Sequence, residues 1–317
     1  MRAVLIDRPT RAEDIVLTEV EKPAVKPGWV LVKVKAFGLN HSEQVLREFE
    51  IEEPYIKKPV IPGIECVGVI EDPSDSAWQK GQKVVALMGG MGRSFDGSYA
   101  EYALLPTHHV FAVESSLPFK EMAAVPETYF TAWGSLFECL NLQKEDVLLI
   151  RGATCALGYV AIQIAKAYGC KVIATTHRDS KLHLLKEAGA DEAVLDEGSL
   201  KGKVSEANKA LELVGIKTLK DTMQILPKGG IVCNTGVLGK VYVWDGFDPI
   251  KDIPNGVYLT GFFSNYPTQE VINDIFAFLG EHHLSPRMGE VFSFENIREA
   301  CMALDYGKSN GKIVVEL

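Results

Sequence analysis

The sequence lacks paired cysteines, which excludes several classes of small or metal-stabilised protein. Its six cysteines stand at positions 66, 139, 155, 170, 233 and 301, and no two of them form a C-x-x-C pair. Scattered cysteines of this kind are typical of reduced thiols in a cytoplasmic protein. They argue against a disulfide framework and against a cysteine-rich zinc site.

Long apolar stretches and an excess of positive charge are also missing. No apolar run approaches the ~20 residues that a membrane-spanning helix needs. The first ten residues, MRAVLIDRPT, lack the apolar region of a signal peptide. The formal net charge is −9, from 33 basic and 42 acidic residues. We therefore expect a cytoplasmic protein with no nucleic-acid partner and no membrane partner.

The chain has an ordinary globular composition and two regions with different sequence patterns. It has 317 residues, 47% apolar and 24% charged, which favours two domains. Residues 1–122 hold short apolar or alternating runs separated by turns, a pattern typical of a barrel or sandwich. Residues 123–266 alternate strand and helix patterns, as in an α/β domain with a parallel sheet. The last segment, 267–317, is predicted to return to the first domain.

One stretch, Val147–Asp191, predicts a strand, a turn, a helix and a second strand. An apolar run, Val147–Ile150, is followed by the small-residue turn Gly152–Gly158. Apolar residues then recur at the helical spacing of one buried face until Gly169, where a left-handed helix cap is expected. This βαβ unit presents a helix N-terminus, whose free N–H groups and dipole suit a phosphate group.

The glycine pattern of the turn is incomplete. Ending the usual G-x-G-x-x-G motif on Gly158 puts Ala153 and Cys155 at its first two glycine positions. Taken alone, the turn therefore also fits an ordinary α/β connection. A Cβ at Cys155 would push a diphosphate away or force a different turn, and a thiol at a helix N-terminus is a candidate for oxidation, although inert packing is the simpler role.

The end of the second strand bears on the choice of dinucleotide. NAD sites place an acidic residue there, whereas a 2′-phosphate site places a cation there and no acid. Here the strand ends in Thr176, His177 and Arg178, with Lys181 close behind. Asp179 comes late enough to cap the next helix. These residues predict a 2′-phosphate site, with solvated surface cations as the alternative.

The chain resembles the medium-chain dehydrogenase/reductase superfamily, and within it the zinc-free quinone oxidoreductase-like branch. The resemblance covers nearly the whole length and is specific through the order and spacing of its motifs. They are Lys35–Asn40, Ile61–Ile70, Gly97–Tyr102, Thr128–Ala132, Gly152–Asp191, Lys228–Val232 and Gly311–Val314. It implies an α/β protein with a GroES-like β-barrel catalytic domain (1–122 and 267–317) and a Rossmann domain (123–266). It also implies an active site in the cleft between the domains and hydride transfer from NADPH.

A zinc site is not expected. Zinc-dependent relatives carry Cys, His and Cys or Asp ligands, and a catalytic zinc needs three such ligands at one point. By resemblance these positions hold Asn40, Ile64 and the pair Glu127 and Thr128. The isoleucine cannot ligate a metal. His41 is the nearest metal-binding side chain, and a hydrogen-bonding or exposed histidine is its simpler interpretation.

Without zinc, the substrate must already be electrophilic at carbon, as a quinone or an α,β-unsaturated carbonyl is. The oxyanion that forms then needs hydrogen-bond donors and a proton. By resemblance, Asn40 is a donor to the substrate, with a turn asparagine as the alternative. Tyr55, in the loop 48–58, is a second donor candidate, with stacking on the substrate as the alternative.

The remaining site candidates bind the cofactor. Thr131 and Tyr129 match the segment facing the nicotinamide, although Tyr129 also fits a core aromatic. The turn and helix N-terminus that face the pyrophosphate comprise Thr154, Cys155, Ala156, Leu157 and Gly158. Asn234 and Gly236 follow a sheet strand at its carboxyl end, where α/β sheets bind ligands. Phe262, Phe263 and Asn310 match further positions near the cofactor, with a turn-forming role open for Asn310.

The leading interpretation is a zinc-independent NADPH-dependent reductase of quinones or enones. One alternative is a zinc-free carbonyl or alcohol dehydrogenase. The other is a weakly catalytic NADPH-binding redox sensor, for which the incomplete glycine turn is the one supporting feature. The apolar run 258–263 is a candidate edge strand, and an unpaired edge favours a homodimer.

Overall fold

The computed structural model describes all residues from Met1 to Leu317. The chain forms two compact units, one of residues 1–130 with 265–317 and one of residues 131–264. The sequence pattern put the first boundary at 122, where strands give way to helices. In the structure the boundary falls inside a helix, Pro126–Trp133, so the change from strands to helices comes before the change of unit.

The first unit is built from strands in its N-terminal part. The strands are β1 Arg2–Val4, β2 Leu17–Glu19, β3 Trp29–Gly38, β4 Glu65–Asp72, β5 Lys83–Leu87, β6 Tyr102–Pro106 and β7 Val110–Ala112. The helices are α1 His41–Glu48, α2 Phe119–Met122 and α3 Pro126–Trp133. Short 3-10 helices cover Ala12–Asp14, Glu50–Glu52 and Thr107–His109.

The second unit alternates strands and helices. A π-helix, Gly134–Cys139, leads into it. Its strands are β8 Val147–Arg151, β9 Lys171–Thr176, β10 Glu192–Leu195, β11 Lys209–Glu212, β12 Ile231–Asn234 and β13 Tyr258–Gly261. Its helices are α4 Ala156–Tyr168, α5 Leu182–Glu187, α6 Ile216–Ile225 and α7 Pro249–Asp252, with a 3-10 helix at Asp179–Lys181.

The chain then returns to the first unit through α8 Gln269–Glu281, β14 Met288–Ser293, a 3-10 helix at Phe294–Asn296, α9 Ile297–Asp305 and β15 Lys312–Glu316. The seven-stranded sheet of this unit has the order β14-β15-β3-β4-β5-β7, with β6 also pairing β3. Strand β3 is central, and Lys33 is exposed between buried Val32 and Val34, as the alternation predicts. Helix α9 packs Ile297, Ala300 and Cys301 into the core of this unit.

The sheet of the second unit is entirely parallel and has the order β10-β9-β8-β11-β12-β13. Counted along the chain this is the doubly wound order 3-2-1-4-5-6, in which the direction of winding reverses between β8 and β11. Ligands of such sheets bind at the carboxyl ends of the strands beside this reversal. The predicted helix cap is confirmed, because Gly169 ends α4 with φ +107 in the left-handed region.

Arg151, the last residue of β8, is a charged side chain with no exposed surface. Its guanidinium donates to both carboxylate oxygens of Asp196, at 2.7 and 3.0 Å, and to Asp221 at 2.7 Å. It also donates to the carbonyl of Gly198, at 3.1 Å. A buried guanidinium needs partners for its N–H groups, and these bonds fasten the end of β8 to the segment after β10 and to α6.

Candidate functional site

The turn after β8 uses two glycines for two different backbone requirements. Gly152 has φ +79, a conformation that favours glycine. Its N–H donates to the Thr175 hydroxyl at 3.1 Å, and the Ala153 N–H donates to the Thr175 carbonyl at 2.8 Å. At Gly158 a Cβ would come within 2.3 Å of the Ala153 carbonyl oxygen. The helix therefore begins directly against the turn, and only glycine fits there.

Cys155 is the N-cap of α4, and its Cβ needs no unusual backbone. Its φ of −130 and ψ of 169 are extended, so the expectation that Cys155 forces a different turn is wrong. The sulfur accepts the Gly158 N–H at 3.4 Å, in the manner of a capping side chain. Burial raises the pKa of this thiol, which disfavours the reactive thiolate. These features favour the packing role over an oxidation-sensitive one.

The carboxyl end of β9 lies beside this turn. The hydroxyls of Thr154 and Thr176 are 3.2 Å apart, and Thr176 Oγ1 also accepts the Arg178 N–H at 3.2 Å. Arg178 Nε lies 3.3 Å from His177 Nε2. Burial, and then the neighbouring Arg178 charge, lower the pKa of Lys181. Two cations that repel each other at a helix N-terminus favour a bound anion.

Asp179 does not cap the following α-helix, so that prediction is wrong. The chain first makes the 3-10 turn 179–181, and α5 then begins after Lys181, which makes no side-chain capping bond. Asp179 is exposed at the start of that turn. No carboxylate therefore stands at the last residues of β9, where an NAD ribose would be bound.

The carboxyl end of β12 carries Asn234 and Gly236. Asn234 Oδ1 is buried and has no hydrogen-bond partner within the protein, a state that costs free energy unless a ligand supplies a donor. A Cβ on Gly236 would come within 2.1 Å of the Leu213 carbonyl oxygen. Buried Glu212, to which the sequence assigned no role, accepts the N–H groups of Val214 and Gly215 at 2.8 and 3.1 Å and so holds this neighbouring loop.

The candidates Tyr129, Thr131, Phe262 and Phe263 differ in how far their side chains are exposed. Tyr129 is 1% exposed, so its burial favours the core-aromatic alternative. Thr131, 8% exposed, accepts the Ser135 hydroxyl at its carbonyl, 2.7 Å away. The ring of Phe262 packs against Gly134 at the start of the π-helix, whereas Phe263 is 71% exposed.

In the first unit, Asn40 belongs to a buried polar cluster. Its Oδ1 accepts from the Lys312 ammonium at 2.5 Å, and its Nδ2 donates to Glu65 Oε1 at 2.8 Å and to Glu43 Oε1 at 3.4 Å. Lys312 also lies 2.6 Å from Glu65 Oε1 and 2.9 Å from Thr128 Oγ1. Lys312 and Glu65 are 2% and 0% exposed. Both sides of the Asn40 amide are thus engaged within the protein.

Glu43 sits at the edge of this cluster and completes a helix cap. Its carboxylate accepts the Asn40 N–H at 2.5 Å and the Ile64 N–H at 3.1 Å. Burial raises the pKa of Glu43 to about 7, against the opposing attraction of Lys312. The sequence carries the signal, an asparagine followed three residues later by glutamate, but sequence reasoning missed it.

Other candidates lie apart from this cluster or turn outward. Tyr55 is 60% exposed, and its hydroxyl donates to Glu50 at 2.9 Å. Asn310 is exposed in the turn before β15, and its carbonyl accepts from Arg287 at 3.2 Å. By contrast, His41 Nε2 and Ser42 Oγ, next to Asn40 in the chain, are buried without a hydrogen-bond partner. Such atoms are the ones that a bound molecule would satisfy.

Comparisons with known proteins agree with this geometry. Residues 26–115 match the family model "Alcohol dehydrogenase GroES-like domain" and residues 156–280 match "Zinc-binding dehydrogenase". Rat quinone oxidoreductase is 30% identical over 238 residues, 71% of this chain and 70% of that protein. Human quinone oxidoreductase is 28% identical over 314 residues, 95% of this chain and 92% of that protein.

The chain belongs to the medium-chain dehydrogenase/reductase superfamily, in its quinone oxidoreductase-like branch. The crystal structure of an NAD-dependent alcohol dehydrogenase superposes with a TM-score of 0.86 at 26% identity and full coverage of both chains. The first unit is the GroES-like domain and the second is the Rossmann-type dinucleotide-binding domain. This protein is an oxidoreductase of that superfamily. None of its helices has the length and apolarity needed to cross a bilayer.

The zinc named in one family description does not fit this member of the superfamily. Ile64 is buried and offers no donor atom, and Asn40 already accepts from an ammonium ion. No three His, Cys, Asp or Glu side chains are grouped so that they could hold a metal ion. The oxygen atoms of this cluster therefore bind the Lys312 ammonium, a cation that the chain itself supplies.

Glu43 should make the unfolding free energy of this protein depend on pH. A carboxyl whose folded pKa is raised from 4.5 to about 7 contributes fully below its unfolded pKa, and the contribution is lost as the pH rises through about 7. Glu43→Gln keeps the shape of the protonated side chain and removes the titration. Between about pH 5 and pH 8, wild type should lose roughly 3 kcal/mol of unfolding free energy relative to this variant.

Urea titrations at several pH values measure this difference. The control is Glu53→Gln, an exposed glutamate of the same unit, which should follow wild type at every pH. Parallel curves for wild type and Glu43→Gln would mean that Glu43 does not titrate in this range.

Proposed function

We propose that this protein is a zinc-independent, NADPH-dependent reductase that transfers hydride to a quinone or an α,β-unsaturated carbonyl. The observation that carries the proposal is the make-up of the first-unit cluster, in which an ammonium ion, an amide and carboxylates stand together without a metal-ligand set. Without a Lewis acid the carbonyl is not strongly polarised. A substrate that accepts hydride directly at carbon suits such a site, and the named relatives are quinone oxidoreductases.

The residues of the second unit fit a dinucleotide. When bound, NADPH would supply the hydride. The close approach at Gly158 sets the N-terminus of α4 directly against the turn, where its dipole suits a diphosphate, and Thr154, Ala156 and Leu157 belong to this same turn. The unpartnered Asn234 Oδ1 supports a ligand donor at the end of β12.

The preference for NADPH rests on this chain's own residues, because the similar alcohol dehydrogenase structure is described as NAD-dependent. Arg178 and Lys181 supply two positive charges next to Thr176, and Asp179 is turned to solvent. Burial, and then the Arg178 charge, lower the Lys181 pKa. A 2′-phosphate would relieve the repulsion between these two cations, whereas a ribose hydroxyl would not.

Asn40 and Tyr55 remain the proposed catalytic donors, with unequal support. Asn40 holds its weakest bond, 3.4 Å long, to Glu43, and exchanging this bond would let the same N–H donate to a substrate oxyanion. Tyr55 would have to leave Glu50. Of the alternatives, the sensor loses its supporting feature, because Gly152 and Gly158 meet the backbone needs of the turn and burial raises the pKa of the half-buried Cys155 thiol.

Turnover with a substrate panel tests the reaction. Metal-free protein with NADPH should reduce quinones and enones and leave a simple ketone unreduced. Asn40→Ala should lower kcat on the order of 100-fold, with an NADPH Kd close to that of wild type. The control is Asn255→Ala, an exposed turn asparagine. Turnover of the ketone at a comparable rate would favour the carbonyl dehydrogenase instead.

Cofactor titrations test the 2′-phosphate site. NADPH should bind at least ~10-fold more tightly than NADH, a difference of about 1.4 kcal/mol. Arg178→Ala should remove most of that preference by weakening NADPH alone. Lys201→Ala, which removes an exposed lysine of the same unit, should leave both affinities unchanged. Equal binding of the two dinucleotides by wild type would remove the NADPH assignment.

We further propose a cytoplasmic homodimer. All six cysteines are free thiols, as a reducing compartment favours. Strand β13 is an edge of the parallel sheet, and its Tyr258 is 62% exposed, so an antiparallel partner would cover it. Light scattering coupled to gel filtration should give the mass of two chains, and Tyr258→Lys should give one. A monomeric wild type would end this proposal.

A further inference from the structure

Lys312 is a lysine whose ammonium is buried at the first residue of β15. An ammonium has three N–H donors, and here three acceptors surround it. They are Asn40 Oδ1 at 2.5 Å, Glu65 Oε1 at 2.6 Å and Thr128 Oγ1 at 2.9 Å. The side chain is 2% exposed. The cation is thus fully bound by the protein, as a structural ion would be.

The Lys312 side chain passes close to the backbone of Gly38. A Cβ on Gly38 of β3 would lie 2.2 Å from Lys312 Cε and 2.7 Å from Glu65 Oε1. A side chain at position 38 would therefore displace the ion pair. Glycine here is required by the approach of the lysine to its partners.

Charge on both sides fixes the Asn40 amide. Its oxygen must face the ammonium, because an amide nitrogen cannot accept a hydrogen bond from Lys312. Its nitrogen then faces Glu65, 2.8 Å away, which is an acceptor. The reverse orientation would set donor against donor and acceptor against carboxylate, so Lys312 determines which atoms Asn40 presents.

Thr128 is left with a hydrogen to donate. Its hydroxyl oxygen accepts from Lys312 at 2.9 Å, its one side-chain hydrogen bond. Because a hydroxyl has one donor hydrogen, that hydrogen has no acceptor in the protein. A hydroxyl that accepts from a cation is a stronger donor in turn. Thr128 is 5% exposed, so this hydroxyl lies in a nearly dry environment.

Asn40, Ile64 and the pair Glu127 and Thr128 are the positions at which the superfamily resemblance places metal ligands. Ile64 offers no donor atom, and Asn40 already accepts from Lys312. The Lys312 ammonium joins the same three segments of chain. The Lys312 ammonium therefore lies where the zinc-dependent relatives would hold their metal, which explains why zinc does not fit.

We propose that the Lys312 ammonium replaces a metal cation as the fixed positive charge of this site, and that the Thr128 hydroxyl it polarises donates a hydrogen bond to the substrate oxyanion. Lys312 is a positioning residue, and Thr128 is the group that touches substrate. The hydride pair, supplied by NADPH on its oxidation to NADP⁺, would form a C–H bond at the β-carbon of the enone. The C=C pair then forms a new double bond to the carbonyl carbon, and the C=O π pair moves onto oxygen, where Thr128 stabilises the oxyanion. A proton from water at the α-carbon re-forms the C=O bond. This inference rests on the proposed function.

The test uses p-nitrophenol, a coloured phenol whose anion resembles the oxyanion, bound to full-length protein with NADP⁺ present. Wild type should bind the phenolate and lower its pKa by about one unit, seen as absorbance at lower pH. Thr128→Val, nearly the same shape, should lose this shift, and Thr128→Ser should retain it. Lys312→Met should lose the shift, whereas Lys33→Met, at an exposed lysine of β3, should not.

Each outcome decides the inference separately from the reaction. If Lys312→Met does not fold, the Thr128→Val and Thr128→Ser pair still decides it. No phenolate shift in wild type, or an equal shift in Thr128→Val, overturns it even when quinones are reduced. A wild-type shift lost in Thr128→Val supports it even when no quinone is reduced, in which case the proposed function alone fails. With an active enzyme, Thr128→Val should lower kcat at least ~10-fold and leave the NADPH Kd unchanged.

Discussion

The candidate site of the first unit depends on one buried ion pair, Lys312 with Glu65. Each charge lost its water on folding, and neither would be tolerated alone, because an unpaired buried charge costs about 3–5 kcal/mol. A matched apolar pair would hold the barrel together equally well. The pair therefore adds little stability. What it does is bring β15, β4, α3 and the N-terminus of α1 to one point with their polar atoms in a defined order.

The second unit also contains a buried charge, Arg151, that is paired within the protein. Its guanidinium lies under the dinucleotide turn and is neutralised by Asp196 and Asp221. These ion pairs fix the backbone at Arg151, and Gly152, the next residue, adopts a left-handed conformation. In both units, a strand that carries a charge into the interior fixes the backbone at the place where a ligand is expected.

Periodicity in the sequence predicted what depends on apolar side chains. The start of β8 at Val147 and the cap at Gly169 came from it directly. It missed β10, a half-buried edge strand of four residues, and α9, whose buried face is mostly alanine and cysteine. Neither segment contrasts strongly with its surroundings. Sequence reasoning also missed Glu65 and Lys312, because a charge in a strand shows that a partner exists without showing where in the chain it lies.

The dinucleotide turn shows why a motif is better stated as backbone requirements than as letters. Of three customary glycines only the last is present, and yet the turn makes a left-handed residue at Gly152 and a close helix approach at Gly158. The middle position is extended at Cys155, a conformation that does not require glycine, and its sulfur caps the helix. Counting glycines underestimates such a turn, because only Gly158 among the three motif positions, and Gly152 just before them, demand the absence of a Cβ.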